Sequence, residues 1–127
     1  MKHKDVRYVL ARMADCAFQA ISYLDGMTKE DFLGDKRTQQ AVIMNLQLIG
    51  ELATTLRRSY STDLTDLPAL PYEQMIGMRN RIAHGYFDLN LDTVWIVATE
   101  SLPELRKALA EIGITGVDGL TPLEKKP

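Results

Sequence analysis

Apolar residues recur at intervals of three and four along most of this chain, and that rhythm constrains its fold more than any other feature. Val6, Leu10, Met13, Ala17, Ala20, Ile21 and Leu24 form a first stripe, which Gly26 stops. Thr28-Lys29-Glu30-Asp31 has the form of an N-cap with acids in the first turn. It opens a short helix through Phe32 and Leu33 that Gly34 ends. From about Lys36, a second long stripe runs through Val42, Leu46, Ile49, Ala53 and Leu56 to Arg58 or Tyr60. Ser61-Thr62-Asp63, Pro68 and Pro71 mark a connecting loop, and Pro71 suits the first turn of the next helix. That helix carries Met75, Ile76, Met78 and Ile82 to His84, with Gly85 as its stop. Asn90 or Asp92 can cap a last long helix through Val94, Ala98, Leu102, Leu105, Leu109 and Ile112. Pro103 lies inside it and predicts a kink. No strand pattern competes, so the expected fold is all-α, an antiparallel bundle of four long helices plus a short one.

At 127 residues the chain is expected to form one domain, residues 1–112. The tail, residues 113–127, carries Gly113, Gly116, Gly119, Pro122 and Pro127 and is expected to be loose. A domain this small buries less surface than a larger one, a shortage that a helical dimer would relieve. The formal net charge of −2 argues against a protein that coats nucleic acid indiscriminately, so any RNA contact needs a local basic patch. With Cys16 alone no intramolecular disulfide is possible, and its place between Ala14 and Ala17 suggests a buried, inert thiol. The charged start, Met1 to Arg7, and then Arg12 and Asp15, interrupt any apolar run, so neither a signal peptide nor a membrane span is expected. The expected location is the cytoplasm.

The chemistry concentrates in Arg79-Asn80-Arg81-Ile82-Ala83-His84-Gly85-Tyr86. Of the two histidines, His3 sits at the terminus and is expected to be solvated. His84 instead neighbours Arg79, Asn80, Arg81 and Tyr86. An imidazole can take and give a proton near neutral pH, and a guanidinium can hold a phosphate. Asn80 and Arg81 lie four and three residues before His84, on its face of a helix. Arg79 lies five before it, roughly 140° around the axis, so one regular helix does not bring the two together. They converge if the helix loosens at Gly85, or if two such helices meet across a dimer axis. Composition alone favours a structural role, because cations at a helix C-terminus suit its dipole. One cysteine and two distant histidines make no metal-ligand set, and no cofactor is expected.

The segment fits R-N-x-x-x-H-x-Y, and in this the chain resembles HEPN-domain proteins, above all the HepT-like family. Further blocks resemble that family in order: Phe32-Leu33-Gly34-Asp35, Thr38 to Val42, Ile49-Gly50-Glu51-Leu52-Ala53, Val94 to Val97 and Leu102 to Leu105. The likeness spans roughly residues 3 to 112. It implies an all-α homodimer and a metal-independent endoribonuclease, the toxin of a type VII-like pair. The partner it implies is an MNT-type nucleotidyltransferase antitoxin. Carried over by position, Arg79 and His84 would be catalytic and Asn80 and Arg81 supporting. Tyr86 would be the hydroxyl that the partner modifies with AMP. The chain departs from the family in a longer loop before Pro71, in Pro71-Tyr72 where proline-tryptophan is usual, and in a longer tail.

Glu51 stands in an otherwise apolar stripe and is a candidate to hold an arginine of the signature; a solvated carboxylate is the plain alternative. Gly50 costs helix stability, about 1 kcal/mol against alanine, which a close helix approach, such as a dimer seam, would explain. Arg57-Arg58 has the form of a solvated helix end, the methionines of core and interface filler, and Trp95 of a core or dimer anchor. Two other functions share these features: a non-catalytic subunit that binds a nucleotide or substrate for a transferase, and a purely structural helical dimer.

Overall fold

The stripes become helices close to the bounds that their spacing predicts. A computed structural model describes residues 3–59 and 67–125; Tyr60 and the Ser61-Thr62-Asp63 turn lie outside the described residues, as does the side chain of His3. The helices are α1 (His3–Tyr23), α2 (Lys29–Leu33), α3 (Lys36–Ser59), α4 (Tyr72–Gly85), α5 (Leu91–Ile96) and α6 (Leu102–Glu111). Short 3-10 turns lie at Tyr86–Asp88 and Val117–Gly119, and no strand occurs among the described residues.

Side chains set several of these ends. Thr28 Oγ1 accepts from the Asp31 N–H while the Asp31 carboxylate accepts from the Thr28 N–H, a complete capping box. Asp35 takes hydrogen bonds from the backbone N–H and hydroxyl of Thr38, which hold its carboxyl below the usual range. Asn90 Oδ1 accepts from the N–H groups of Asp92 and Thr93 and starts α5. At the head of α4 the Tyr72 hydroxyl donates to the Pro68 carbonyl, and burial pushes its pKa up to about 12. The expected kink at Pro103 takes a specific form, a π turn at Val97–Ser101 that joins α5 to α6. Proline lacks an N–H and its ring crowds the carbonyl four residues earlier, so the preceding turn widens instead of breaking.

α3 packs on α1 and on α4, and α6 returns onto α1. The core between them is built from Leu10, Met13 and Ala17 of α1, Val42, Ile49 and Leu56 of α3, and Val94, Leu105 and Leu109 of the last helices, all essentially solvent-free. Phe32 of α2 is fully buried and meets Trp95 at 5.6 Å between ring centroids, so the tryptophan is a partly buried core anchor.

The segment after Ile112 departs from the loose end that its glycines and prolines suggest. Ile114 and Leu120 are buried in the core, the Val117 N–H donates to Asp15, and Arg7 pairs with Glu124 at 2.6 Å. Gly116 makes this docking possible: its φ is +157°, and a Cβ there would sit 2.4 Å from Asp15 Oδ1.

The approach of α3 to α4 at Gly50 is closer still, and it lies within one chain. A Cβ on Gly50 would fall 2.2 Å from the Cβ of Arg79 and 2.8 Å from the Met75 carbonyl oxygen, so only glycine admits this crossing. Gly77 of α4 offers the contrast, since nothing lies within 4 Å of its missing Cβ. Gly50→Ala is therefore expected to lose about 2 kcal/mol or more. Gly77→Ala should gain about 0.5–1 kcal/mol. Urea unfolding of both variants checks the pair, and equal effects would contradict the close crossing.

Candidate active site

α4 turns Met78 and Ile82 into the core, and its rotation then places the signature residues on three different sides. Arg79 lies against α3. Its Nε donates to Glu51 Oε1 at 2.5 Å and its Nη1 to Asn80 Oδ1 at 3.1 Å. Among the described residues the guanidinium makes no further hydrogen bond, so part of its fork stays open to a ligand. Glu51 is thus the carboxylate that holds a signature arginine. Both partners are partly exposed, and a pair of that kind contributes only about 0–1 kcal/mol. Its effect is orientation: the carboxylate fixes the Nε edge of the guanidinium, Asn80 takes one Nη1 proton, and among the described residues the remaining N–H groups have no partner.

His84 faces elsewhere. It lines an open cleft of about 650 Å³ between the C-terminal half of α4 and the start of α5, with Asn80, Arg81, Asp88 and Thr93. Arg79 is not among the cleft's walls. α4 runs on through Gly85, so the loosening that would swing Arg79 and His84 together within one chain does not occur. Gly85 is not in the left-handed region, with φ −153°, and the chain passes directly into the 3-10 turn. Tyr86 opens that turn with its ring more than a third exposed, edge-on to Phe87. Phe87 is 97% exposed, an unusual position for a bare aromatic ring.

The structure therefore joins Asn80, Arg81 and His84 in one cleft, holds Arg79 with Glu51 beside α3, and presents Tyr86 at the helix end. Sequence reasoning missed Asp88 and Thr93 as cleft walls. Their signal was the Asn90 cap, which begins α5 only a few residues after α4 ends. Arg57 pairs with Glu73 and so belongs to the α3–α4 contact. Cys16 is half-buried, and burial pushes its thiol up, against reactivity. Among the described residues no group of three or more His, Cys, Asp or Glu could hold a metal ion, and no helix is long and apolar enough to cross a membrane.

Comparison with known proteins identifies the family. The family described as "Ribonuclease HepT-like" matches residues 13–112. A protein of Methanocaldococcus jannaschii named "Putative RNase" is 32% identical over 119 residues, covering 94% of this chain and 95% of its own length. A Thermococcus cleftensis protein named "Probable ribonuclease HepT" is 34% identical over 93 residues, 69% of this chain and 81% of its own. A "Putative RNase" of Caldanaerobacter subterraneus is 29% identical over 100 residues, 79% of this chain and 86% of its own. No solved structure matches the chain.

The Arg79–Glu51 contact yields a direct test. Glu51→Ala, which removes the acceptor, should change stability by less than about 1 kcal/mol. In the same variant the Arg79 Nε–H, protected in the parent, should exchange with solvent markedly faster by NMR. Unchanged exchange would mean that Glu51 does not hold the guanidinium.

Proposed function

The chain belongs to the HepT-like ribonuclease family, and from that premise we propose that it is a metal-independent endoribonuclease whose site is completed by a second copy. The observation that carries this reading is the separation of Arg79 from His84. Each chain offers an arginine with a free edge on one side of α4 and a histidine cleft on another. A two-fold dimer sets the arginine of one copy beside the histidine of the other.

The outward face shared by α3 and α4 supports such a dimer. Met44, Leu48 and Glu51 follow one another at spacings of four and three on α3, and the first two are exposed apolar side chains. Asn80, Ala83 and Phe87, all exposed, continue the same rhythm along α4 and its following turn. Exposed apolar groups grouped on one face are the usual mark of a protein interface.

In the proposed reaction His84 takes the proton of a ribose 2′-hydroxyl. The 2′-oxygen attacks the adjacent phosphorus, the bond from phosphorus to the 5′-oxygen breaks, and water supplies that oxygen's proton. The products are a 2′,3′-cyclic phosphate and a 5′-hydroxyl. Arg79 and Arg81 offset the negative charge that builds on the phosphoryl oxygens, and Asn80 keeps the Arg79 fork in place. Arginine supplies this stabilisation without a metal ion.

Regulation follows from Tyr86. We place the chain in the cytoplasm as the toxin of a type VII-like pair whose antitoxin is an MNT-type nucleotidyltransferase. The exposed Tyr86 phenol gives its proton to solvent, its oxygen attacks the α-phosphorus of ATP in the antitoxin's site, pyrophosphate leaves, and Tyr86 carries AMP. The added phosphate and base would stand at the end of the helix that bears His84, excluding RNA by charge and by volume.

The test is cleavage of total cellular RNA in excess EDTA by the purified chain and by His84→Ala, after intact mass has shown that Tyr86 is free of AMP. The parent should cut, leaving cyclic phosphate ends, and His84→Ala should lose about 10²–10⁴-fold in rate. Equal cutting by both would remove His84 from the mechanism. No cutting by either would favour a non-catalytic binding subunit.

A further inference from the structure

A second hollow continues the His84 cleft along the same side of α4. It holds about 500 Å³ between α4 and α6, and it is the more enclosed of the two. Arg81 and Met78 line both, so a single arginine stands where one hollow passes into the next. The walls are apolar, with Leu70, Met75, Val97 and Leu105, while Gln74, Ser101 and Glu104 bring polar groups to the edge. Among the described residues none of these three side chains makes a hydrogen bond to the protein, and Arg81 makes no ion pair. The π turn contributes Val97 and Ser101, so the widened helix at Pro103 shapes this wall.

A flat apolar body with a polar edge fits such a space, and a nucleobase has that form. Methionine sulfur from Met75 and Met78 makes favourable contact with aromatic rings. Glu104 repels phosphate, so an RNA backbone keeps to Arg81 while only a base enters. A carboxylate also accepts from the amino groups of cytosine, adenine or guanine, and uracil has none to offer.

We propose that this hollow is a nucleobase pocket that receives a base next to the cleaved phosphate and prefers one with an exocyclic amino group. Arg81 binds the phosphate between the two hollows, Glu104 accepts from the amino group, and Gln74 and Ser101 complete the polar edge. The pocket sets sequence preference for the ribonuclease proposed above and rests on that reading for its substrate class.

The experiment measures binding, so it does not depend on catalysis. The full chain carrying His84→Ala is titrated by fluorescence anisotropy with labelled oligocytidylate and oligouridylate of equal length, which share one backbone charge. Cytidylate should bind roughly ten-fold tighter. Glu104→Leu, which removes the acceptor, should abolish that difference, and uridylate should bind tighter because the charge that repels phosphate is gone. Ser101→Trp, which fills the hollow from an exposed position, should also abolish it, with the melting temperature checked to show that the variant folds. Equal affinity for the two oligomers, a preference that survives both substitutions, or no binding of either RNA would overturn the pocket. So would Ser101→Trp dissociating a dimer in sedimentation, because protein and not RNA would then cover the hollow. A parent chain that fails to cut RNA refutes the catalytic reading alone, since the base preference is still read from binding.

Discussion

The contact of Gly50 with Arg79 fixes the rest of this molecule. Two helices approach until a single methyl group would collide with a side-chain carbon and a backbone carbonyl at once. A crossing that tight has no freedom to slide or roll. It sets the rotation of α4 about its axis, and that rotation decides where every residue of the signature points. Arg79 falls beside α3, where Glu51, one residue after the glycine, receives its Nε–H. Asn80 steadies the other side of the guanidinium. His84 and Arg81 are turned outward into a cleft that Asn80 also lines. Gly50 and Glu51 therefore act together, the first by admitting the arginine and the second by aiming it.

This geometry gives a physical reason for the proposed dimer. A base and a phosphate-holding cation kept roughly 140° apart on one rigid helix do not meet at one phosphorus atom. Loosening the helix would bring them closer, but α4 is regular through Gly85. Two copies would solve the problem without strain, and Met44, Leu48 and Phe87 are exposed apolar side chains that such an assembly would bury. A second hollow lies along the Arg81 side of α4. There the π turn before Pro103 supplies Val97 and Ser101 to the wall.

Much of the fold was legible because it rests on local rules. Stripes of Leu, Ile, Val and Ala read at helical spacing give α1, α3, α4 and the last helices, and Thr28 and Asn90 announce their caps. The tail was not legible. Ile114 and Leu120 are single apolar residues among glycines and prolines, and only the tertiary groove beside Asp15 and Arg7 makes them core. The helical angle between Arg79 and His84 was readable from spacing alone, but not which of its two remedies applies. The partnership of Glu51 with Arg79 spans 28 residues. No periodicity predicts such a contact, and the family likeness pointed to it. The hollow beside Arg81 is invisible in sequence because its walls come from three separate segments that read as ordinary core positions.

The central claim is that the arginine and histidine of one working site come from different copies. The most direct measurement is subunit complementation. Arg79→Ala and His84→Ala chains, each inactive alone, are mixed, unfolded and refolded together, and assayed on RNA. Random pairing makes half of the dimers mixed, each with one intact site, so the mixture should recover about one quarter of the parent activity. Activity that stays at the level of the separate variants, with mixed dimers present by native mass, would contradict the shared site and place both residues in a single chain.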